Sequence, residues 1–337
     1  IQFSPVYVAI EKGYFAEAGA KVNIQHGDEP DGVNLIAANQ IPFGVISGEQ
    51  VIAARAQERP VVFVYEWFQQ YPVGILVTDD SGIASPADLR GQRIGIPGLF
   101  GASYTGAIAL LAANGLAEQD VQLEAIGFNS PQVVCAGAVK AAVVDTNNEP
   151  LQIQNRIDAG DCGSVSGVMV FSVADAADMV SNGIVTSEGL IESDPELVSR
   201  FVAAFGAGLR DVINNPAEAY LLSAAHIEGL PLPDALQTAL ETAAVEQNAF
   251  LEANPEVTRE ALAQYRASLL ETLKAEFEGD TLLQFEVLLS TISMWDADQL
   301  GYTDLESWQL TQDTLADMGL LDAPIDLDAA QTNDFLP

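Results

Sequence analysis

Four aromatic rings, one carboxylate and two amides crowd into Tyr65-Glu-Trp-Phe-Gln-Gln-Tyr71, in a chain with only 7% aromatic residues. Such a set suits a flat heteroaromatic ligand: rings stack on its faces, while amides and carboxylates pair with N–H and C=O groups at its edge. Glu66, Trp67, Phe68 and Tyr71 are therefore candidate contacts. Each ring taken singly serves equally well as core packing; the cluster as a whole favours contact. Asn147-Asn-Glu-Pro150 adds two amides and the carboxylate of Glu149 after an apolar strand, and Asn148 also suits a helix cap. Ser47, Glu49 and Gln50 form a polar edge where another strand meets a helix N-terminus. The glycine-rich loop Gly95-Ile-Pro-Gly-Leu-Phe-Gly101 lacks the Lys-Ser/Thr of a phosphate loop. Its backbone N–H groups suit close approach to a ligand, with Phe100, Ser103 and Tyr104 beside it. Phe3, Tyr7, Asp31 and Asn129 complete the candidates. Trp295 is a lid for the cleft or, as the simpler role, core packing.

Catalytic chemistry finds little to use. The two histidines, His26 and His226, lie far apart in sequence, each without a nucleophile motif or metal-ligand spacing. Surface histidine is the expectation for both, and neither cofactor nor metal is expected. Cys135 and Cys162 belong to no Cys-x-x-Cys or Cys/His cluster. They pair in an oxidising compartment or remain two buried thiols; the disulfide is slightly favoured.

The elements that must position these residues alternate between strand and helix up to about residue 187, a pattern of parallel α/β sheets. Residues 5–24 read as one helix from Pro5, stopped by Gly19, then a strand carrying Val22 and Ile24. Strands follow at 42–48, 61–65, 73–77, 93–96, 121–126, 141–144, 165–170 and 183–186. Beyond Ser193-Asp-Pro-Glu196 the pattern is helical, broken at Asn214-Asn-Pro216 and Leu230-Pro-Leu-Pro233. Residues 322–337 read as irregular surface chain. Crossings near 66–72 and before 183 divide the chain into one lobe of residues 1–72 and 183–337 and a second of 73–182. Two such lobes make a hinged clam with the ligand between strand ends.

Segment 5–24, the turn Phe43–Gln57 and Ser85-Pro-Ala-Asp-Leu-Arg-Gly-Gln-Arg-Ile-Gly95 together resemble extracytoplasmic substrate-binding proteins of ABC importers. The branch is the one handling nitrate, sulfonates, taurine and thiamine pyrimidine precursors. Gly98-Leu-Phe-Gly-Ala-Ser-Tyr104 and Asn147-Asn-Glu-Pro150 look most like its riboflavin-binding group, and the resemblance covers nearly the whole chain. It implies an α/β, two-lobed periplasmic-binding-protein fold of type II, with two interlobe crossings, a cleft and a helical C-terminal region. It also implies a monomer that is not an enzyme, bound to a small molecule and serving an ABC importer permease outside the cytoplasm. A secretion signal and lipid anchor are expected upstream. Riboflavin is the expected ligand, a thiamine pyrimidine precursor the alternative, and a pyrimidine-synthase-like enzyme the alternative of another class. Glu49, Glu66 and Glu149 argue against an oxyanion ligand, because a buried anion beside them is costly.

Charge excludes other partners. With 48 acids against 13 bases the net charge is −35, so nucleic acid, which needs clustered Lys and Arg, is not a partner. A self-repelling secreted surface and an adaptation to high salt both fit this number. Either way, most carboxylates lack a basic partner, and added ions screen their repulsion more in the compact state than in the unfolded one. The melting midpoint of the ligand-free protein at neutral pH is expected to rise along a sodium chloride series. A flat or falling midpoint would show the acids to be already well dispersed.

Overall fold

The computed structural model describes residues 1–337. Its elements in chain order are α1 (Ser4–Glu11), α2 (Tyr14–Glu17), α3 (Glu29–Ala37), β1 (Gly44–Ser47), α4 (Gly48–Ala56), β2 (Val61–Glu66) and β3 (Val73–Thr78). Next come β4 (Arg93–Ile96), α5 (Gly101–Ala113), β5 (Gln122–Ala125), α6 (Ser130–Cys135), β6 (Ala141–Asp145), α7 (Glu149–Asp158), β7 (Val168–Ser172) and β8 (Asn182–Ser187). Helices close the chain: α8 (Glu188–Ser193), α9 (Pro195–Asn214), α10 (Pro216–Ser223), α11 (Asp234–Ala253), α12 (Arg259–Lys274), α13 (Asp280–Trp295) and α14 (Leu305–Asp317).

Packing divides these into two units, one of residues 1–24, 199–300 and Pro337, the other of residues 25–198 and 301–336. Both sheets fall in the second unit, so this boundary does not coincide with the sequence division at the crossings. Tyr71, on the first crossing, packs on α5 and bonds to its first turn, which fastens the crossing to the helix that covers the larger sheet.

The five-stranded sheet runs β5-β4-β6-β3-β7. β4 is parallel to β5 and β6, whereas β3 is antiparallel to both β6 and β7. The three-stranded sheet, β1-β8-β2, is antiparallel throughout. The parallel expectation therefore fails at β3 and β8. These are the strands that follow the two crossings, and a strand entering from the other sheet inserts against the run of its neighbours. Val73, Ile75 and Val77 of β3, with Ala141 and Val143 of β6, face α5. Leu76, Ala142 and Val144 face α6 and α7 and the disulfide joining Cys135 to Cys162. Alternation thus buries both faces, which is why these strands read as unbroken apolar runs.

Around the smaller sheet, Ile46, Val61, Phe63 and Val185 pack with Val33 and Ile36 of α3, Val51 and Ile52 of α4 and Trp308 of α14. Residues 322–337 are irregular, but not merely superficial. Ala330 and Thr332 bond the backbone of Phe63 at 2.9 Å each, and Leu327 and Ala330 are buried. Gly183 has no room for a side chain: a Cβ there would lie 2.1 Å from the Phe63 ring and 2.3 Å from the Tyr65 carbonyl. The β2–β8 register shifts between Phe63 and Tyr65 at the same place, a bulge that re-aims the end of β2.

In the helical unit, Gly13 (φ +80°) interrupts the expected single helix into α1 and α2, and Gly19 (φ +76°) then ends α2. Val22 and Ile24 form no strand; an alternating pair is too short to specify pairing, and no neighbouring strand accepts it. Gly208 of α9 allows close approach of α1, since a Cβ would meet the Pro5 carbonyl at 2.3 Å. Asn215 caps α10, accepting from the Glu218 N–H at 3.2 Å. The break expected at Asn214-Asn-Pro216 lies there.

Candidate ligand-binding site

β1 runs directly into α4, and the turn between them carries the first half of the site. The Gly48 N–H donates to the Ser181 carbonyl at 3.2 Å, and a Cβ on Gly48 would lie 2.6 Å from the Val180 side chain. Only glycine lets α4 start this close to the second crossing. Ser47 is fully buried, with Oγ 2.6 Å from Glu29 Oε2 and 2.6 Å from Glu49 Oε1. Asn182, opening β8, donates to Glu29 Oε1 at 2.6 Å. Two carboxyl groups thus meet at one hydroxyl.

The second half lies where β6 ends. Glu149 opens α7 and accepts the Asp145 N–H at 2.8 Å, and Asn147 between them is fully buried. Tyr71 donates to the Ala102 carbonyl at 3.1 Å, its ring lying where a Cβ on Gly106 would come within 2.7 Å. Its hydroxyl feels the charges of Glu49 and Glu29.

The electrostatics follow from burial without bases. Burial first, then the charge of Glu29, pushes Glu49 up to about 8 despite its bond to Ser47. Burial raises Glu29 itself, opposed by its bonds to Ser47 and Asn182. Asp145 rises to about 6 through burial and the Glu29 charge, and Glu149 to about 8 through burial and Asp145. Burial, with Glu49 and Glu29, holds the Tyr71 phenol well above its ordinary value. Glu66, at the end of β2, is buried beside Thr303, and burial with the charges of Asp304 and Asp178 lifts it to about 8. Several bases are engaged elsewhere. Arg55 pairs with Glu188, Arg93 with Glu124 at 2.9 Å, and Lys12 bridges Asp211 and Glu218 at 2.9 and 2.6 Å.

The sequence candidates distribute unevenly. Ser47, Glu49, Tyr71, Asn147 and Glu149 gather in this seam between the sheets. Trp67 and Phe68 are buried on the first crossing, rings 5.5 Å apart, and both their N–H groups donate to the Asn182 carbonyl. Gln50 is half-buried on α4. Asp31 is exposed in the first turn of α3. Phe100 is exposed, its ring lying over Gly98. Ser103 is half-buried, and Tyr104 donates to Glu118 at 2.9 Å. Asn129 is exposed, donating within its own turn to Ile126. Asn148 stands at the N-cap of α7 without capping it; its side chain accepts from Gln152 at 2.8 Å. Proline at N1/N2 and the Glu149 carboxylate occupy that first turn instead. Phe3, Tyr7 and Trp295 belong to the helical unit. There Phe3 is exposed, Tyr7 stacks on His226 at 4.9 Å, and Trp295 is buried at the end of α13. His226 is thus part of a packed contact, while His26 is exposed.

Glu29, Asp145 and Asn182 were not legible as site residues. Glu29 carries no site signal in the sequence: an acid in the first turn of a helix is ordinary, and only the placement of β1 beside β8 reveals its other use.

The architecture is that of periplasmic binding proteins. The putative sulfonate-binding protein SsuA of Methylobacillus flagellatus superimposes with a TM-score of 0.61 over 99% of this chain and 87% of its own, at 14% identity. The family model described as NMT1/THI5 like matches residues 1–219, and the chain belongs to that family. It is 34% identical to the riboflavin-binding protein RibY of Chloroflexus aurantiacus, over 100% of this chain and 83% of that one. It is 29% identical to a formylaminopyrimidine-binding protein of Halalkalibacterium halodurans, over 64% of this chain and 63% of that one. A 4-amino-5-hydroxymethyl-2-methylpyrimidine phosphate synthase of Legionella pneumophila is 25% identical over 65% of this chain and 68% of its own.

The raised carboxyls set a pH dependence. Each binds a proton more tightly folded than unfolded, so its contribution is full below the unfolded value and is lost as pH rises through the folded one. Ligand-free stability is expected to fall between about pH 4.5 and 8, the window spanned by Glu49, Glu66 and Glu149. Urea midpoints taken at several pH values check this; stability rising with pH across the window would contradict it.

Proposed function

We propose that this chain is the solute-binding component of an ABC importer, capturing an uncharged, flat heteroaromatic vitamin, riboflavin, by hinge closure. The observation that carries this reading is the base-free seam of buried carboxyls at the sheet ends. A sulfonate, nitrate or phosphate brought there meets like charge in a low-dielectric setting. A neutral ring system with N–H, C=O and hydroxyl groups meets acceptors and protonated donors instead. Similarity to RibY along the whole chain supports the same ligand class.

In this reading residues 73–182 form one lobe and residues 1–72 with 183–337 the other. The segment from Trp67 to Tyr71 and the stretch before Asn182 are the hinges. The protein works outside the cytoplasm as a monomer and hands its ligand to a permease. Ligand contacts made only in the closed form supply the differential affinity that closure requires. A thiamine pyrimidine precursor is the second reading, favoured by the relative that binds formylaminopyrimidine. The synthase relative brings an enzymatic reading, but the seam offers no histidine and its acids face one another.

Riboflavin is expected to raise the melting midpoint and to quench Trp67 fluorescence. Asn148→Ala and Glu66→Ala are each expected to cost about 1–3 kcal/mol of binding, the range for a lost hydrogen bond to a polar ligand group, with smaller changes in stability. Calorimetry showing no heat with riboflavin but clear binding of an aminopyrimidine would replace the first reading with the second.

A further inference from the structure

Ser47 poses a problem of hydrogen counting. Its Oγ lies 2.6 Å from both Glu29 Oε2 and Glu49 Oε1, yet a hydroxyl has one hydrogen to donate. Two carboxylates cannot both accept it. One carboxyl must therefore carry a proton and donate to Oγ. Asn182 already donates to Glu29 Oε1, so Glu29 is the acceptor of two donors and suits the charged form. Besides Ser47, Glu49 is approached only by its own backbone N–H and by the Tyr71 hydroxyl. The Tyr71 hydroxyl beside it sends its hydrogen to the Ala102 carbonyl.

We infer that Glu49 is held as a neutral carboxylic acid, donating through Ser47 to Glu29, and that this form determines which ligand the seam accepts. The proton sits on Oε1, which leaves Oε2 as a carbonyl-type acceptor. Oε2 is buried and has no hydrogen-bond partner, and neither has the Ser181 hydroxyl, whose residue receives the Gly48 N–H at the same turn. An acceptor and a hydroxyl left unmatched in a buried seam call for a ligand N–H or O–H, since each unmade bond there is costly. Ionised Glu49 would instead face the charge of Glu29 directly, and its extra negative charge would be felt by Tyr71; Asp145, also in the seam, feels Glu29, and Glu149 feels Asp145. The one base on its own helix, Arg55, is paired with Glu188. The ligand class is an uncharged molecule with a polar N–H or O–H edge, such as the imide of a flavin ring. This inference rests on the solute-binding reading for its ligand, but not for its proton.

The test compares wild type with Glu49→Gln from pH 6 to 9. Riboflavin affinity is read by calorimetry, and the melting midpoint is read without ligand. Wild-type affinity is expected to fall about tenfold between pH 8 and 9, one proton per binding event, while the Glu49→Gln profile stays flat. Without ligand, the midpoint is expected to fall with pH more steeply in wild type than in Glu49→Gln. Identical ligand-free slopes would overturn the inference whatever riboflavin does. Absence of riboflavin binding at every pH would remove the functional reading alone, because the ligand-free slopes still report the proton. Should Glu49→Gln not fold, Glu29→Gln decides. Removing that charge is expected to move the fall to lower pH, and an unmoved profile would overturn the inference.

Discussion

Carboxyl groups buried together without a basic partner are the constraint on which the rest of this structure depends. Glu29 and Glu49 come from the elements around the smaller sheet and Asp145 and Glu149 from the end of the larger one, while Glu66 at the end of β2 is buried separately, beside Thr303. Two costs compete at each. Keeping a carboxyl protonated at pH 7, when its ordinary value is near 4.5, costs about 3 kcal/mol at 1.36 kcal/mol per pH unit. Leaving an unpaired carboxylate in the same place costs more than that, because desolvation of an ion is not recovered without a counter-charge. Protonation is the cheaper state. The local architecture fits it: Gly48 lets α4 begin against the second crossing, and Ser47 stands as a relay between two acids.

The distribution of bases completes this picture. Arg266, itself buried, holds Asp296 at 2.8 Å and the Ile213 carbonyl at 2.9 Å in the helical unit. Arg259 reaches the same Asp296, and Lys274 pairs with Glu286. Lys140 meets Asp80 at the rim of the larger sheet. A chain with net charge −35 thus places these bases in surface and helix–helix pairs. In the proposed cycle a neutral ligand enters this seam at little electrostatic cost, and the two crossings take up the motion.

Much of the strand and helix order was legible because the apolar runs are unambiguous. Val73–Val77 and Ala141–Val144 are buried on both faces, and such runs bounded by glycine and proline read cleanly. The glycine at 19 and the break at Asn215-Pro216 carried their own backbone chemistry. Strand direction was not legible, since β3 and β8 owe their antiparallel setting to crossings that only the assembled sheets reveal. The short alternation at Val22 and Ile24 misled, because two residues cannot specify a pairing. Of the site, Ser47, Glu49 and Glu149 were readable as polar groups at strand ends. Glu29 and Asn182 were not, being 153 residues apart and joined only when β8 inserts beside β1. Asn148 carried a sound capping signal, yet its amide turned to Gln152.

The central claim is that several glutamates of the folded, ligand-free protein remain protonated at neutral pH. Side-chain carboxyl carbon resonances, followed by nuclear magnetic resonance through a pH titration of the labelled protein, measure this directly. The account predicts a separate group of glutamate resonances, Glu49 among them, with midpoints near 8. A titration in which every glutamate changes near its ordinary value of 4.5 would contradict it.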